Sequence, residues 1–224
     1  MYTAIIVEPR KHKALEYVLN NFLENLSNEW NIIIFHGNLN IDYINDIINH
    51  NLIKYKNRIS LINLNVDNLT INQYNELFIT NFDFYNKIPT ETFLVFQTDT
   101  LINKKYKHFI NYFLKYDYVG APWKWDNNVG NGGLSLRKKS KMLEIIKNDN
   151  NRYNNDKFIN EDLYFSMSKI VKLYKPSYKL AKRFSMESIF LLKTFGCHKA
   201  YIHINNNILF KRYPDIKILQ ELNS

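Results

Sequence analysis

Residues 92–103, TFLVFQTDTLIN, place a short apolar run directly before a polar tripeptide. The run from Phe93 to Phe96 is typical of a buried strand, because four consecutive apolar residues leave no polar face. Asp99 follows shortly after, at the edge of the sheet, where carboxylate oxygens bind hard cations. Alternatively, Asp99 is the N-cap of a helix over residues 100–115, a position that Asp often occupies.

The residues before this stretch alternate between strand-like and helix-like patterns. The apolar runs YTAIIVE (2–8), NIIIFHG (31–37) and RISLINL (58–64) are separated by helical periodicities such as LEYVLNNFLENL. This alternation predicts an α/β fold with a mostly parallel central sheet flanked by helices. In such sheets ligands bind beyond the carboxyl ends of the strands. We expect that edge to carry Glu8, His36, Gly37 and Asp99.

Length and composition favour one soluble domain. A chain of 224 residues with 46% hydrophobic content supports a single core. No apolar run approaches the roughly 20 residues of a membrane span, and the first residues lack the pattern of a secretory signal. The single cysteine, Cys197, excludes an internal disulfide. We therefore expect a cytoplasmic protein, and the 15% aromatic content leaves room for a homodimer interface.

The net charge of +9 bears on the choice of partner. Basic residues are dispersed along the chain, and only RKKSK (137–141) and KLAKR (179–183) are dense. This distribution favours a surface that attracts nucleotide phosphates over a specific nucleic-acid-binding protein.

Glycines cluster in the second half of the chain. Gly130, Gly132 and Gly133 precede a strand-like LSLR run and a helix expected to begin near Lys138. Because glycine permits positive φ and the close approach of a ligand, this segment is a candidate binding loop. A plain glycine hairpin is the alternative.

Further residues are candidates for a site. Trp123 and Trp125 are either core anchors or a flat surface for a ligand ring. Glu161 and Asp162 open a helical pattern, where the helix dipole favours acids and where a carboxylate can also act as a general base. His198 is either a structural histidine or a metal ligand, and no second cluster of zinc ligands accompanies it.

The order of these features resembles that of the GT-A fold glycosyltransferases. Those enzymes have a DxD-type motif that holds Mn²⁺ or Mg²⁺, a glycine-rich loop, an xED motif with the catalytic base, and a late metal-binding histidine. The similar segments here are QTD (97–99), GNGG (130–133), NED (160–162) and GCH (196–198). Over residues 4–201, the strings IIVEPR, FHG, FQTDTLI, YDYVGAPW, GNGGLSLR, NEDLYFS, FSMES and GCHKAY resemble an uncharacterised glycosyltransferase-like domain family of fungal, bacterial and giant-virus proteins.

The resemblance implies a single GT-A-like, Rossmann-like domain over residues 1–224. About 1–103 would bind the nucleotide sugar, and about 104–224 would bind the acceptor and carry the catalytic groups. The implied activity is metal-dependent transfer of a hexose from a nucleoside diphosphate sugar, UDP-sugar by family type, to a hydroxyl of a glycan or protein. The alternative is a noncatalytic sugar-binding or scaffolding member of the same fold. For a viral source, the cytoplasm would be that of the host.

The resemblance also implies a role for individual residues. Asp99 and His198 would hold Mn²⁺ or Mg²⁺. Asp162 would be the base of an inverting reaction, with retention left open, and Glu161 would hold the acceptor or exchange roles with Asp162. Gln97 replaces the first acid of DxD, which puts the strength of metal dependence in question. The residues implied for the nucleotide sugar are Val7, Glu8, Arg10, His36, Gln97, Thr98, Asp99, Gly132 and Gly133, and those implied for substrate are Trp123, Gly132 and Glu161.

Overall fold

The computed structural model describes residues 1–126, 128–156 and 159–224. Its strands, in chain order, are β1 (Tyr2–Val7), β2 (Trp30–His36), β3 (Ile59–Asn63), β4 (Thr92–Phe96), β5 (Thr100–Ile102), β6 (Tyr118–Val119), β7 (Leu134–Lys138), β8 (Ser185–Met186) and β9 (Gly196–His198). The main sheet has six strands in the order β3-β2-β1-β4-β7-β6. Strands β1 to β4 are parallel, and β7 pairs with β4 in the antiparallel direction. The predicted mostly parallel central sheet is therefore confirmed.

Helices connect and flank these strands. They are α1 (Leu15–Asn25), α2 (Ile41–Asp46), α3 (Ile71–Ile79), α4 (Phe82–Asn86), α5 (Lys139–Asn148), α6 (Asn150–Asn155), α7 (Glu161–Ser166), α8 (Tyr178–Ala181), α9 (Ala200–His203), α10 (Asn206–Arg212) and α11 (Pro214–Leu222). Residues Ile47–Asn51 form a π-helical turn, and Ile53–Arg58 and Lys104–Tyr112 form 3₁₀ helices. In the described part of the chain, no helix has the length and apolar character needed to cross a membrane.

Two apolar layers cover the two faces of the main sheet. Along β1, Ala4 and Ile6 belong to one layer, while Ile5 and Val7 belong to the other. Because side chains alternate between the faces of a strand, this uninterrupted apolar run requires cover on both sides. Helix α1 supplies part of that cover through Phe22, and we expect Phe22→Ala to cost about 3–5 kcal/mol.

A second, smaller sheet has the strand order β5-β9-β8. Strand β5 pairs with β9 in the antiparallel direction, with Thr100 opposite His198. The alternative in which Asp99 caps a helix over residues 100–115 is therefore wrong, because the residues after Asp99 form a strand. The 3₁₀ helix begins only at Lys104, and its N-cap is Asn103, whose Oδ1 accepts a hydrogen bond from the Lys105 amide at 3.2 Å.

Candidate active site

A cavity of about 580 Å³ opens at the carboxyl ends of β1 and β4. We call it the strand-end cavity and define it by Glu8, Asp99, Gly132, Asp162 and His198 in its wall. It brings together residues predicted from distant parts of the sequence. The predicted site residues that line it are Val7, Glu8, Arg10, Gln97, Thr98, Asp99, Gly132, Gly133, Glu161, Asp162 and His198.

The structure does not bring His36 and Trp123 to this cavity. His36 lies at the end of β2, as expected, but it is buried and its Nδ1 lies 2.7 Å from the carbonyl oxygen of Gly37. Trp123 is buried and stacks on Trp125, with ring centroids 5.2 Å apart. Its contact with solvent is therefore small, and the exposed ring of the pair belongs to Trp125.

Asp99 and His198 meet because their strands pair. The turn that presents Asp99 is closed by Thr100, whose Oγ1 donates to the Gln97 carbonyl oxygen at 2.6 Å. Asp99 Oδ1 lies 3.3 Å from His198 Nε2, and Asp99 Oδ2 lies 3.5 Å from Lys199 Nζ. Burial by itself raises the pKa of the Asp99 carboxyl, but these positive neighbours hold that pKa below its usual value. Asp99 is therefore ionised at neutral pH.

Glu187 lies on the other side of the His198 ring and had no predicted role. Its Oε1 lies 3.3 Å from His198 Nδ1 and accepts a hydrogen bond from Asn131 Nδ2 at 3.0 Å. Burial by itself lowers the pKa of His198, but Asp99 and Glu187 together raise it to about 9. The imidazole is thus protonated at neutral pH and held between two carboxylates, and a cation bound at Nε2 would displace the proton there.

The donor atoms at Asp99 and His198 fit a divalent cation. Asp99 Oδ1 and both His198 ring nitrogens are buried and meet no hydrogen-bond criterion, although Oδ1 and Nε2 lie 3.3 Å apart. Two adjacent ligands of an octahedral ion at about 2.1 Å from it are separated by about 3 Å, which is close to the observed Oδ1–Nε2 distance. Among residues 1–126, 128–156 and 159–224, no group of three or more His, Cys, Asp or Glu side chains has metal-site geometry. Any further ligands would therefore come from other oxygen groups of the chain, from substrate or from water.

A buried ion pair holds Glu161. Arg137, fully buried on β7, donates from Nη1 to Glu161 Oε2 at 2.6 Å and from Nη2 to Glu161 Oε1 at 3.0 Å. The guanidinium also lies over the rings of Tyr118 and Phe78, at 5.1 and 5.3 Å from their centroids. Since both carboxylate oxygens are engaged, Glu161 is suited to positioning its neighbour rather than to accepting a proton.

Asp162 has the properties of a general base. Gly132 N–H donates to its Oδ2 at 3.2 Å, and Leu163 N–H donates to its Oδ1 at 2.7 Å. Burial, followed by the charge of Glu161, raises the pKa of Asp162 from 3.8 to about 6. A carboxylate with such a pKa is ionised at neutral pH and is a stronger proton acceptor than an ordinary aspartate.

The loop needs glycines because other side chains pack closely against its backbone, and not because its residues have positive φ. None of the glycines has a positive φ, so that part of the expectation is wrong. A Cβ on Gly132 would lie 2.3 Å from Glu161 Oε1, and a Cβ on Gly133 would lie 2.2 Å from His198 Nε2. The two glycines therefore leave the space in which the buried acid and the histidine sit.

Arg10 supplies positive charge on the β1 side of the cavity. Its Nε donates to Glu8 Oε1 and its Nη2 to Glu8 Oε2, both at 2.8 Å. Glu8 is buried, whereas 56% of the Arg10 side chain is exposed. Glu8 thus orients a guanidinium beside the cavity. Gln97, in the place of the first DxD acid, donates from Nε2 to the Tyr74 hydroxyl at 3.1 Å.

A neighbouring cavity of about 680 Å³ contains the two tryptophans. We call it the tryptophan cavity; Trp123, Lys124, Trp125 and Ser188 line it and do not line the strand-end cavity. Both cavities are lined by Asn131, Asn160, Asp162, Glu187 and His203. Asp162 therefore faces two adjoining spaces, each large enough for a small molecule.

Arg137, Glu187 and Asn131 were missed as site residues. Each lies in or beside a sequence string that carried the resemblance: GNGGLSLR contains Asn131 and Arg137, and FSMES contains Glu187. An arginine in a strand-like run is usually exposed, so the pattern gave no signal that Arg137 is buried opposite Glu161.

The fold is that of GT-A glycosyltransferases, as comparison with solved structures shows. The apo-form glycosyltransferase GlyE of Streptococcus pneumoniae aligns with a TM-score of 0.61 and 10% identity, over 99% of this chain and 59% of GlyE. The galactosyltransferase LgtC, in complex with donor and acceptor sugar analogues, aligns with a TM-score of 0.59 and 9% identity, over 98% of this chain and 94% of LgtC. HddC of Yersinia pseudotuberculosis, complexed with GMP-PN, aligns with a TM-score of 0.55 and 14% identity, over 100% of both chains. At these identities the shared property is the fold, and this chain spans about three fifths of GlyE.

The chain belongs to a family described as protein of unknown function, DUF5672, whose model matches residues 58–198. The matched range includes both candidate metal ligands and the acidic pair at the start of α7. A comparison with curated proteins gave no match.

Proposed function

We propose that the chain is a metal-dependent glycosyltransferase that moves a hexose from a nucleoside diphosphate sugar, a UDP-sugar, to a hydroxyl of a glycan or protein. The observation that carries this proposal is the position of Asp162. It is a half-buried carboxylate with a raised pKa, and it lines both the strand-end cavity and the tryptophan cavity. The strand-end cavity would take the donor, and the tryptophan cavity would take the acceptor.

Several groups of the strand-end cavity suit a donor diphosphate. Arg10 is oriented by Glu8 and partly exposed, and Lys199 lines the same cavity with its ammonium near Asp99. Guanidinium and ammonium groups are the usual protein partners of phosphate oxygens. Residues 1–103 would therefore form most of the nucleotide-sugar half, completed by the late residues His198 and Lys199.

Asp99 and His198 would hold Mn²⁺ or Mg²⁺. A divalent ion at that position supplies Lewis-acid stabilisation of the charge that develops on the leaving diphosphate.

Asp162 is the proton acceptor in this proposal. In an inverting transfer, Asp162 takes the proton of the acceptor hydroxyl, the acceptor oxygen forms a bond to the anomeric carbon, and the bond from that carbon to the diphosphate oxygen breaks. The electron pair leaves with the diphosphate. The ion pair between Arg137 and Glu161 fixes the start of α7 and thereby the Asp162 side chain.

The tryptophan cavity offers an aromatic surface to an acceptor. Trp125 is 66% exposed, with Trp123 stacked behind it. A flat, supported ring surface suits the apolar face of a sugar ring, while Lys124 and Ser188 supply donors for hydroxyl groups. In this arrangement Trp125 contacts the acceptor directly, and Trp123 supports the Trp125 ring from behind.

Thermal melts test the proposal without an acceptor. Wild-type protein, Asp99→Ala and the matched surface control Asp42→Ala are heated with UDP, GDP and their sugar conjugates, each with and without Mn²⁺. A ligand at 100 times its Kd stabilises by about 2.7 kcal/mol. We expect a Mn²⁺-dependent increase in Tm with one nucleotide, lost in Asp99→Ala and kept in Asp42→Ala. If none of the nucleotides increases the Tm, the proposal is contradicted.

A noncatalytic sugar-binding member of the fold is the second candidate. The observation in its favour is Gln97, whose amide is hydrogen-bonded to Tyr74 in place of the first DxD acid. This candidate predicts sugar binding without release of nucleoside diphosphate. A coupled assay for UDP or GDP release, run with a panel of mono- and disaccharide acceptors, separates the two. The cytoplasmic location and the homodimer stay predictions.

A further inference from the structure

A third cavity, of about 570 Å³, shares none of the described residues with the lining of the strand-end and tryptophan cavities. We call it the basic cavity and define it by the apolar residues Leu101, Met186 and Ile216 and the cations Lys104, Lys193 and Arg212. It lies between the small β5-β9-β8 sheet, the start of the 3₁₀ helix at Lys104, and the junction of α10 and α11. None of the roles proposed above uses it.

The floor of the basic cavity is apolar. Leu101, Met186 and Ile216 are at most 4% exposed and belong to the main hydrophobic cluster. Cys197, the register partner of Leu101 across the β5–β9 pair, also lines the cavity. An alkyl chain or ring placed on this floor would gain about 25 cal/mol per Å² of apolar surface removed from water.

The rim is positively charged. Lys104, Lys105, Lys193 and Arg212 line it, against the single acid Asp215. Within the described residues, none of these four cations forms an ion pair. Several unpaired cations around one concave space create a positive potential that attracts a compact anion.

Hydrogen bonds between separate elements fix the walls. The Tyr213 hydroxyl lies 3.1 Å from the Leu191 carbonyl oxygen and 2.5 Å from that of Leu192, which ties the start of α11 to the segment before β9. On the other wall, Asn21 pairs with both backbone groups of Ile102, at 2.7 and 3.1 Å. A cavity with tied walls is largely pre-formed, as small-molecule sites usually are.

We propose that the basic cavity binds a monomeric amphipathic anion, a molecule with one apolar chain or ring and a phosphate head group. The apolar part would lie over Leu101 and Met186, and the phosphate would lie among Lys104, Lys193 and Arg212. The charge complementarity of the rim selects the anion, and the apolar floor selects the amphiphile over free phosphate. This site is independent of the proposed transferase activity.

Calorimetric titration with dodecyl phosphate, below its critical micelle concentration, tests the proposal. Lys193→Glu/Arg212→Glu removes two rim cations, and Lys147→Glu/Lys172→Glu makes the same charge change at exposed positions outside the cavity. We expect binding to wild type and the control variant, at least 10-fold weaker binding to the rim variant, and no comparable binding of inorganic phosphate or dodecyl maltoside. Equal binding to both variants, or equal binding of inorganic phosphate, overturns the proposal.

A second measurement locates the ligand. Met186 lines the basic cavity, whereas Met1, Met142 and Met167 do not, so the methyl NMR signal of Met186 reports on that cavity. Dodecyl phosphate is expected to shift the Met186 signal of wild type and to leave that of the rim variant unchanged. An unchanged Met186 signal in ligand-saturated wild type overturns the proposal. So does binding to phosphatidic acid vesicles without binding of the monomer.

Discussion

Thr100 and His198 are register partners in the antiparallel β5–β9 pair, although almost 100 residues separate them in the sequence. This pairing places the imidazole of His198 within 3.3 Å of the carboxylate of Asp99, the residue before Thr100. The three-residue strand β9 thus places His198 beside Asp99, which follows strand β4 of the main sheet.

Glu187→Gln tests whether Glu187 positions His198. The amide keeps the size of the side chain and an oxygen that accepts from Asn131, but it removes the charge beside His198 Nδ1. Groups that orient a metal-binding histidine typically contribute 10- to 100-fold to metal affinity. We expect Mn²⁺ affinity, measured calorimetrically with the nucleotide present, to fall by about 10-fold or more. A variant with unchanged Mn²⁺ affinity and unchanged Tm would show that Glu187 has no such role.

Asp162→Asn tests the assignment of the base. Because the amide cannot accept the acceptor proton, we expect kcat to fall by about 10²- to 10⁴-fold. The donor-dependent increase in Tm should persist, since Arg10, Lys199 and Asp99 are untouched. Asp42→Asn, on an exposed turn of α2, is the control for loss of a carboxylate. Retention of wild-type kcat in Asp162→Asn would assign proton removal to another group.

The pKa of Asp162 predicts opposite effects of pH on activity and stability. As the proposed base, Asp162 has to be ionised, so kcat/KM should rise with an apparent pKa of about 6 and then level off. The folded chain binds this proton more tightly than the unfolded chain does. Stability from this group is therefore fully present below pH 3.8 and is lost as the pH rises to about 6.

Asp162→Asn should consequently remove that pH-dependent loss. We compare the free energy of unfolding of the variant with that of wild type, measured with urea at pH 4 and at pH 7.5. The difference should be about 1 to 2 kcal/mol more in favour of the variant at pH 7.5 than at pH 4. An equal difference at the two pH values would mean that Asp162 has an ordinary pKa.

The Arg137–Glu161 pair predicts strong coupling. Removal of one partner leaves a buried charge without compensation, so Arg137→Met and Glu161→Leu should each cost about 3–5 kcal/mol. Arg137→Met/Glu161→Leu removes both charges and should cost much less than the sum of the single changes. Urea unfolding of the four proteins gives the coupling energy, and additive losses would contradict a paired role.

The main sheet was predictable from the sequence, and the small sheet was not. Strands β1 to β4 are long apolar runs with helical periodicity between them, so their pattern is strong. Strands β8 and β9 have two and three residues, which is too short for any periodicity. Their pairing with β5 is a tertiary contact, and for the same reason the sequence left open whether Asp99 caps a helix.

The candidate site was predictable as a set of segments but not as a set of contacts. The cavity wall contains residues from all four predicted segments, QTD, GNGG, NED and GCH. The order of these segments gave no indication that Arg137 is buried against Glu161, that Glu187 faces His198, or that Trp125 rather than Trp123 is exposed. Each of these depends on which side of a strand or loop faces the core. A shift of one residue in the register of a strand reverses which side that is.

Asp162 lines two cavities whose other lining residues differ in part. Pro9, Asn68 and Thr70 line only the strand-end cavity, while Lys124, Trp125 and Ser188 line only the tryptophan cavity. A substitution in one group leaves the other group and the shared aspartate in place. Under the proposed function, recognition of the donor and of the acceptor can then change one at a time during divergence, so relatives that retain the same nucleotide preference are expected to differ in the molecule they modify.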